Sequence, residues 1–340
     1  MSGAHRPPDA LRYRAPVWLP GGHLQTLYPA LAIGHAPQAY RRERWDSPDG
    51  DFIDVDFVDG APDAPFMVLF HGLEGSSRSH YARALMAAAA ARGWSCAVPH
   101  FRGCSGQPNL APRFYHSGDA PEIDWILRRL RARAQGKFYA CGVSLGGNAL
   151  LRWLGEWQHA AEFVDAACAI SAPLDLARGG AALSRGFNLL YTRVFLDTLK
   201  PKCLAKLVQY PGLFERDALL AARDLYQFDN VVTAPLHGYR DTDDYWDRAS
   251  AKHVLGDIRV TTLVLNARND PFLPAMHLPR TASASVTLDY PAHGGHVGFA
   301  LGPLPGRLDW LPRRMMAFLE GAPDSRAPTP AALWDTDLHG

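Results

Sequence analysis

Lys137-Phe138-Tyr139-Ala140-Cys141-Gly142-Val143-Ser144-Leu145-Gly146-Gly147 is the stretch that decides the fold. An apolar run of strand character, 137–143, ends on a serine with glycines two positions before and two after it. The pattern is G-x-S-x-G. A serine on a sharp strand-to-helix turn takes strained backbone angles, and its neighbours two residues away must lack bulk. Residues 146–158 read as helical, so the strand, turn and helix that the motif needs are all present. A phosphate-binding turn is the competing reading of a glycine-rich strand end. It requires a P-loop lysine and serine at fixed spacing, and the stretch lacks them.

The pattern continues outward in both directions. Residues 40–46 and 51–58 alternate apolar and polar around Pro48-Asp49-Gly50, which predicts an antiparallel hairpin. Residues 66–70 form a continuous apolar run, as a strand buried on both faces does. Helix 79–92, strand 94–98 and helix 121–133 follow, with Pro121 suited to a first helical turn. Downstream, 164–171, 261–266 and 285–290 read as strands and 307–320 as a final helix. Strands alternating with helices predict an α/β fold with a mostly parallel central sheet and helices on both faces. About 85 residues separate the strand ending near Ser171 from the one beginning near Val260, far more than one crossover needs. Residues 175–250 are therefore expected to be a helical lid or cap, inserted within a single domain spanning 1–340 and packed over the sheet's carboxyl edge. Its Phe187, Leu189, Leu190, Tyr191, Phe195 and Leu199 suit either ordinary core or an acyl-binding wall.

Bulk composition excludes several classes. The 340 residues are 47% hydrophobic, enough for a sizeable core, and 35 basic against 34 acidic residues leave a net charge of +1. That balance gives no reason to expect nucleic acid or a strongly charged partner. Arg128, Arg129, Arg131 and Arg133 lie on an amphipathic helix and read as a solvated face. Five cysteines, an odd count without a CxxC pair, argue against a disulfide framework or zinc site and for a reducing compartment. Residues 1–14 lack the apolar core of a signal peptide, and the small apolar stretch 84–91 is too short to span a bilayer. The expectation is a cytoplasmic protein with no transmembrane segment, with peripheral membrane contact left open.

A serine hydroxyl needs a base to take its proton. In this fold the order is Ser, acid, His. The loop after strand 285–290 reads Pro291-Ala292-His293-Gly294-Gly295-His296-Val297-Gly298-Phe299 and offers two candidates, His293 and His296. Their H-x-x-H spacing also suits a metal, but no further ligand cluster accompanies it, so no metal is expected. The acid should follow strand 261–266, where Asn269-Asp270-Pro271-Phe272 places Asp270; Asp175 competes from the loop after strand 164–171. Asp257 and Asp289 read as loop and surface carboxylates. Acyl transfer also requires donors for a developing oxyanion. The backbone amide of Leu145, after the serine, is one. Leu73, in His71-Gly72-Leu73-Glu74-Gly75 after strand 66–70, is the other. His71 reads as a structural residue holding that loop.

Taken together, five segments resemble the YheT-type esterases, bacterial α/β-hydrolases related to the mammalian ABHD lipid hydrolases. They are His71-Gly72-Leu73-Glu74-Gly75-Ser76, Phe101-Arg102-Gly103-Cys104-Ser105-Gly106, Gly142-Val143-Ser144-Leu145-Gly146-Gly147-Asn148, Asn269-Asp270-Pro271-Phe272 and His293-Gly294-Gly295-His296-Val297-Gly298-Phe299. Leu19-Pro20-Gly21-Gly22-His23-Leu24-Gln25-Thr26 resembles that family's N-terminal region. The resemblance implies the α/β-hydrolase fold, a triad of Ser144, Asp270 and His296, and hydrolysis of carboxylic esters without a cofactor. It selects His296 over His293, since the histidine directly before Val-Gly-Phe is the family's catalytic one. The Arg102 to Gly106 segment is either a pocket loop or a structural turn. The expected substrate is a small-molecule or lipid ester with a short to medium acyl chain. Acyl transfer to another acceptor, thioester or amide cleavage, and a non-catalytic binding module are the alternatives.

Overall fold

The computed structural model describes residues 11–34 and 38–322. Residues 1–10, on which most of the no-leader reading rests, lie outside them. Eight strands form one sheet: β1 (Arg41–Asp46), β2 (Phe52–Val58), β3 (Phe66–Phe70), β4 (Ser95–Pro99), β5 (Phe138–Val143), β6 (Ala166–Ile170), β7 (Thr262–Leu265) and β8 (Val286–Asp289). Their order is β1-β2-β4-β3-β5-β6-β7-β8. The hairpin β1–β2 is antiparallel, and β2 runs antiparallel to β4; every pair from β4 onward is parallel. The hairpin therefore forms an antiparallel edge on a parallel sheet. Its turn closes through Ser47 N–H on the Asp51 carbonyl, with Gly50 at φ 77°.

The central strands β3, β5 and β6 are buried along their whole length, which is why they read as unbroken apolar runs. Along the described chain the helices are α1 (Gly22–Leu31), α2 (His80–Ala90), α3 (Ala120–Arg131), α4 (Leu145–Trp157), α5 (Leu176–Leu183), α6 (Leu189–Gln209), α7 (Arg216–Ala221), α8 (Leu225–Phe228), α9 (Ala234–Leu236), α10 (Thr242–Ala249) and α11 (Trp310–Glu320). Two apolar clusters cover the two faces of the sheet. One includes Val68, Phe70 and Ala140 of the strands with Leu127 of α3 and Leu150 and Trp153 of α4. The other joins Met67, Leu69 and Cys141 to Leu85 of α2 and to Met315 and Leu319 of α11. Alternate residues of one strand point to opposite faces, so each strand feeds both clusters.

Helices α5 to α10 lie between β6 and β7. Leu196, Cys203, Phe214, Leu219, Phe228 and Val232 form a small apolar cluster of their own within this segment. Among the described residues no helix is long and apolar enough to cross a membrane. All five cysteines are free thiols, and Cys96, Cys141, Cys168 and Cys203 are buried. Burial pushes the Cys96 and Cys168 thiols well above the usual range, so they stay protonated.

One element went unread in the sequence, and one expectation needs correction. Helix α1 was not anticipated: Gly22 opens it, Pro29 sits inside it, and it buries the polar Gln25 and Thr26. Asp289 is not a surface carboxylate. It ends β8 and pairs with the buried Arg314 of α11 at 2.8 Å, a partner 25 residues away that local patterning does not reveal.

Candidate active site

Ser144 stands between β5 and α4 at φ 52° and ψ −121°. A left-handed φ at a non-glycine residue carries ~1–3 kcal/mol of strain, held here by the surrounding structure. The Ser144 amide donates to the Ile170 carbonyl at 2.8 Å, tying the turn to β6. The flanking glycines answer to packing. A Cβ on Gly142 would lie 2.4 Å from the Gly146 carbonyl oxygen, and one on Gly146 would lie 2.5 Å from the His71 carbonyl oxygen. The turn can close only without those side chains.

His296 Nε2 lies 3.0 Å from Ser144 Oγ, and His296 Nδ1 lies 2.9 Å from Asp270 Oδ2. Asp270 is buried, and its other oxygen accepts the Phe272 amide at 2.8 Å. A carboxylate on Nδ1 keeps the proton there, which leaves Nε2 to accept from the serine. The Phe272 ring stacks on the imidazole, with centroids 4.0 Å apart. His293 is exposed and turns instead toward Asn269, 3.5 Å away. Asp175 is also elsewhere: it caps α5 and pairs with Lys252 at 2.8 Å. Burial works to raise the Asp175 carboxyl, but the Lys252 and Arg178 hydrogen bonds outweigh it and hold the group below the usual range.

Leu73 and Leu145 both border the space in front of Ser144. Leu145 opens α4, where the first amides have no intrahelical acceptor. In the Leu73 loop the amides on either side are occupied: Gly72 N–H donates to Tyr81 Oη and Glu74 N–H to Tyr115 Oη, each at 2.8 Å. Among the described residues the Leu73 amide has no such acceptor. His71 holds the loop. Its Nδ1 donates to the Gly72 carbonyl at 2.8 Å, and its Nε2 accepts the Phe101 amide at 3.0 Å. Full burial pushes its pKa down to about 3, so the ring is neutral and fixed in one tautomer.

Three residues that sequence reasoning missed brace the histidine. Gln25 Oε1 accepts from Gly294 N–H at 2.8 Å and from Asn269 Nδ2 at 2.9 Å. Thr26 Oγ1 accepts the His296 amide at 2.8 Å, and Asn269 Oδ1 accepts the Gly295 amide at 3.0 Å. Helix α1 thus joins the acid loop to the base loop. The packing is close: a Cβ on Gly298 would lie 1.7 Å from the Gln25 carbonyl oxygen. The sequence signs were Gln25 and Thr26 inside one family-like stretch and Asn269 inside another. Gln25→Leu is expected to lower kcat by about 10- to 100-fold through misplacement of His296. It should cost about 1–3 kcal/mol of stability for the donors left unpaired. Steady-state kinetics and thermal unfolding together check both.

A cavity partly open to solvent adjoins Ser144 and reaches beneath α5, α6, α8 and α10. Phe195, Leu199, Phe228, Val232 and Trp246 give it an apolar wall. Of the aromatic and leucine positions singled out in the sequence, Phe195 and Leu199 line this cavity. Tyr191 packs on Phe272, and Phe187, Leu189 and Leu190 are exposed. Asp229 faces the cavity between Thr233 Oγ1 and Trp246 Nε1, and its burial pushes the carboxyl up to about 6. The Arg102 segment serves as turn and wall at once. Gly103 and Gly106 have positive φ, and the buried guanidinium of Arg102 binds Asp51 and Glu122 beside the cavity. Among the described residues no group of three His, Cys, Asp or Glu side chains is arranged to hold a metal ion.

The sheet order, the turn carrying Ser144 and the histidine after the last strand define an α/β-hydrolase. The profile of the alpha/beta hydrolase fold family matches residues 65–303, and the chain belongs to that family. Within it, the chain is 39% identical over 305 residues to the Escherichia coli protein named "Putative esterase YheT", covering 87% of this chain and 89% of that one. It is 29% identical to the mouse phospholipase ABHD3 over 333 residues, covering 93% and 80% of the two chains. A monoacylglycerol lipase of Saccharomyces cerevisiae is 29% identical over 276 residues, 76% of this chain and 59% of that one. The fold is shared with the Pyrococcus furiosus esterase Pf2001, at a TM-score of 0.51 and 15% identity over 84% of this chain and 91% of that one. The chain is therefore an enzyme of the esterase and lipase kind.

Proposed function

We propose that this enzyme cleaves carboxylic esters through an acyl-enzyme on Ser144, with His296 as general base and Asp270 orienting it. The observation that carries the reading is the unbroken relay Ser144 Oγ, His296 Nε2, His296 Nδ1, Asp270 Oδ2, in steps of 3.0 and 2.9 Å. Ser144 attacks the ester carbonyl as His296 takes its proton. The amides of Leu73 and Leu145 hold the developing oxyanion. His296 then gives its proton to the leaving alcohol, and water activated by the same imidazole releases the acid.

The helices α5 to α10 act as a cap, and the apolar cavity beneath them is the acyl site. The Asp229 carboxyl facing that cavity favours short to medium chains that stop before it. Ester or lipid relatives support the substrate class, and free cysteines suit a cytoplasmic setting. A matched panel of p-nitrophenyl esters, thioesters and amides from two to sixteen carbons tests the reading. Esters of short to medium acids should turn over fastest. An amide or thioester preference, or suppression of free-acid release by an added alcohol, would replace hydrolysis of esters with one of the alternatives.

A further inference from the structure

Glu74 directly follows Leu73 and takes φ 55°, an unusual angle for a non-glycine residue. Its amide is fixed on Tyr115 Oη, and Tyr115 Oη donates back to Glu74 Oε1 at 2.9 Å. The carboxylate is largely buried, at 9% side-chain exposure, and borders the cavity one residue from the proposed oxyanion donor. A bare negative charge there opposes the negative charge that must develop on the substrate oxygen. It does not stand bare. Lys202 of α6 reaches down from the cap and meets both oxygens, at 2.8 Å to Oε1 and 2.7 Å to Oε2. The neighbouring Cys104 thiol contributes no charge, since burial pushes it up to about 12.

We propose that Lys202 is a positioning residue: by neutralising Glu74 it lets the Leu73 amide hold the oxyanion, so the site is complete only while α6 is seated over the sheet. The inference rests on the oxyanion reading given above and adds the cap to the machinery of that site. Substrate filling the cavity removes water from the pair and strengthens it. The coupling is therefore largest when the enzyme is loaded, and it falls on kcat more than on KM.

Four variants test this against a purely structural clamp: Lys202→Met, Lys202→Arg, Glu74→Gln and Glu74→Gln/Lys202→Met. Each is followed by p-nitrophenyl ester kinetics, by the rate of fluorophosphonate labelling and by thermal unfolding. Lys202→Met should lower kcat about ten-fold or more, with KM changed less than about three-fold. Labelling should slow in parallel, because the phosphonyl oxygen rests on the same amides. Lys202→Arg should keep most of the activity. Glu74→Gln preserves the acceptor for Tyr115 and removes the charge, so the double variant should recover most of what Lys202→Met loses. A clamp predicts the reverse, with the double variant as slow as or slower than Lys202→Met, and that result overturns the proposal. Wild-type kcat in Lys202→Met overturns it too. Should Lys202→Met not fold, Lys202→Gln and the double variant carry the same comparison. Absence of labelling at Ser144 in the wild type would strike the serine-hydrolase reading itself, whereas labelled wild type with indifferent Lys202 variants strikes only this inference.

Discussion

Ser144→Ala is expected to lower kcat by about 10⁶-fold, near 8 kcal/mol of transition-state stabilisation. In the proposed cycle this hydroxyl, 3.0 Å from the imidazole, forms the acyl-enzyme. Water attacking directly would still find the oxyanion donors and the cavity, so a residue of catalysis above the uncatalysed rate should persist. The fold should be unaffected, because alanine keeps the Cβ and the backbone bond to Ile170. A fluorophosphonate probe should label wild-type Ser144, found by peptide mapping, and label nothing in the variant. A variant that retains most of its turnover would remove Ser144 from the mechanism.

Asp270→Asn should cost about 10⁴-fold in kcat while leaving the structure in place. The reason lies in the two oxygens of Asp270. One accepts from the Phe272 amide at 2.8 Å, a donor that continues to require an acceptor. The carboxamide must therefore turn its oxygen to Phe272 and its NH₂ to His296 Nδ1. That forces Nδ1 to accept and moves the ring proton to Nε2, facing the serine, where it cannot receive another. Activity should return at high pH, where hydroxide ionises the serine without help. A pH–rate profile of wild type and variant checks this: a flat ratio between the two across pH 6 to 10 would mean that Asp270 acts through something other than the tautomer.

The sequence revealed those parts of the site that obey local rules. Gly142 and Gly146 are demanded by contacts within the motif itself and with the loop at His71, so the serine turn is legible from a few residues. Strands β3, β5 and β6, buried on both faces, announce themselves as apolar runs. Contacts across long separations are different. Gln25 meets Gly294 across 269 residues, and Lys202 meets Glu74 across 128. Neither residue belongs to a periodic pattern, and a glutamine or lysine on a helix reads as solvated until its partner is seen. Helix α1 was obscured for a related reason: it buries polar residues, because its task is to hydrogen-bond two loops rather than to fill an apolar core.

The span of those contacts also governs when the enzyme can first act. Ser144 leaves the ribosome 152 residues before His296, a lag of roughly 8 to 30 s at about 5–20 residues per second. During that interval the emerging chain carries the serine turn with no base beside it. The brace from Gln25 waits for the same late loop. Under the proposed mechanism, ester hydrolysis therefore begins only once the final strand has docked and α1 holds the loop that carries His296.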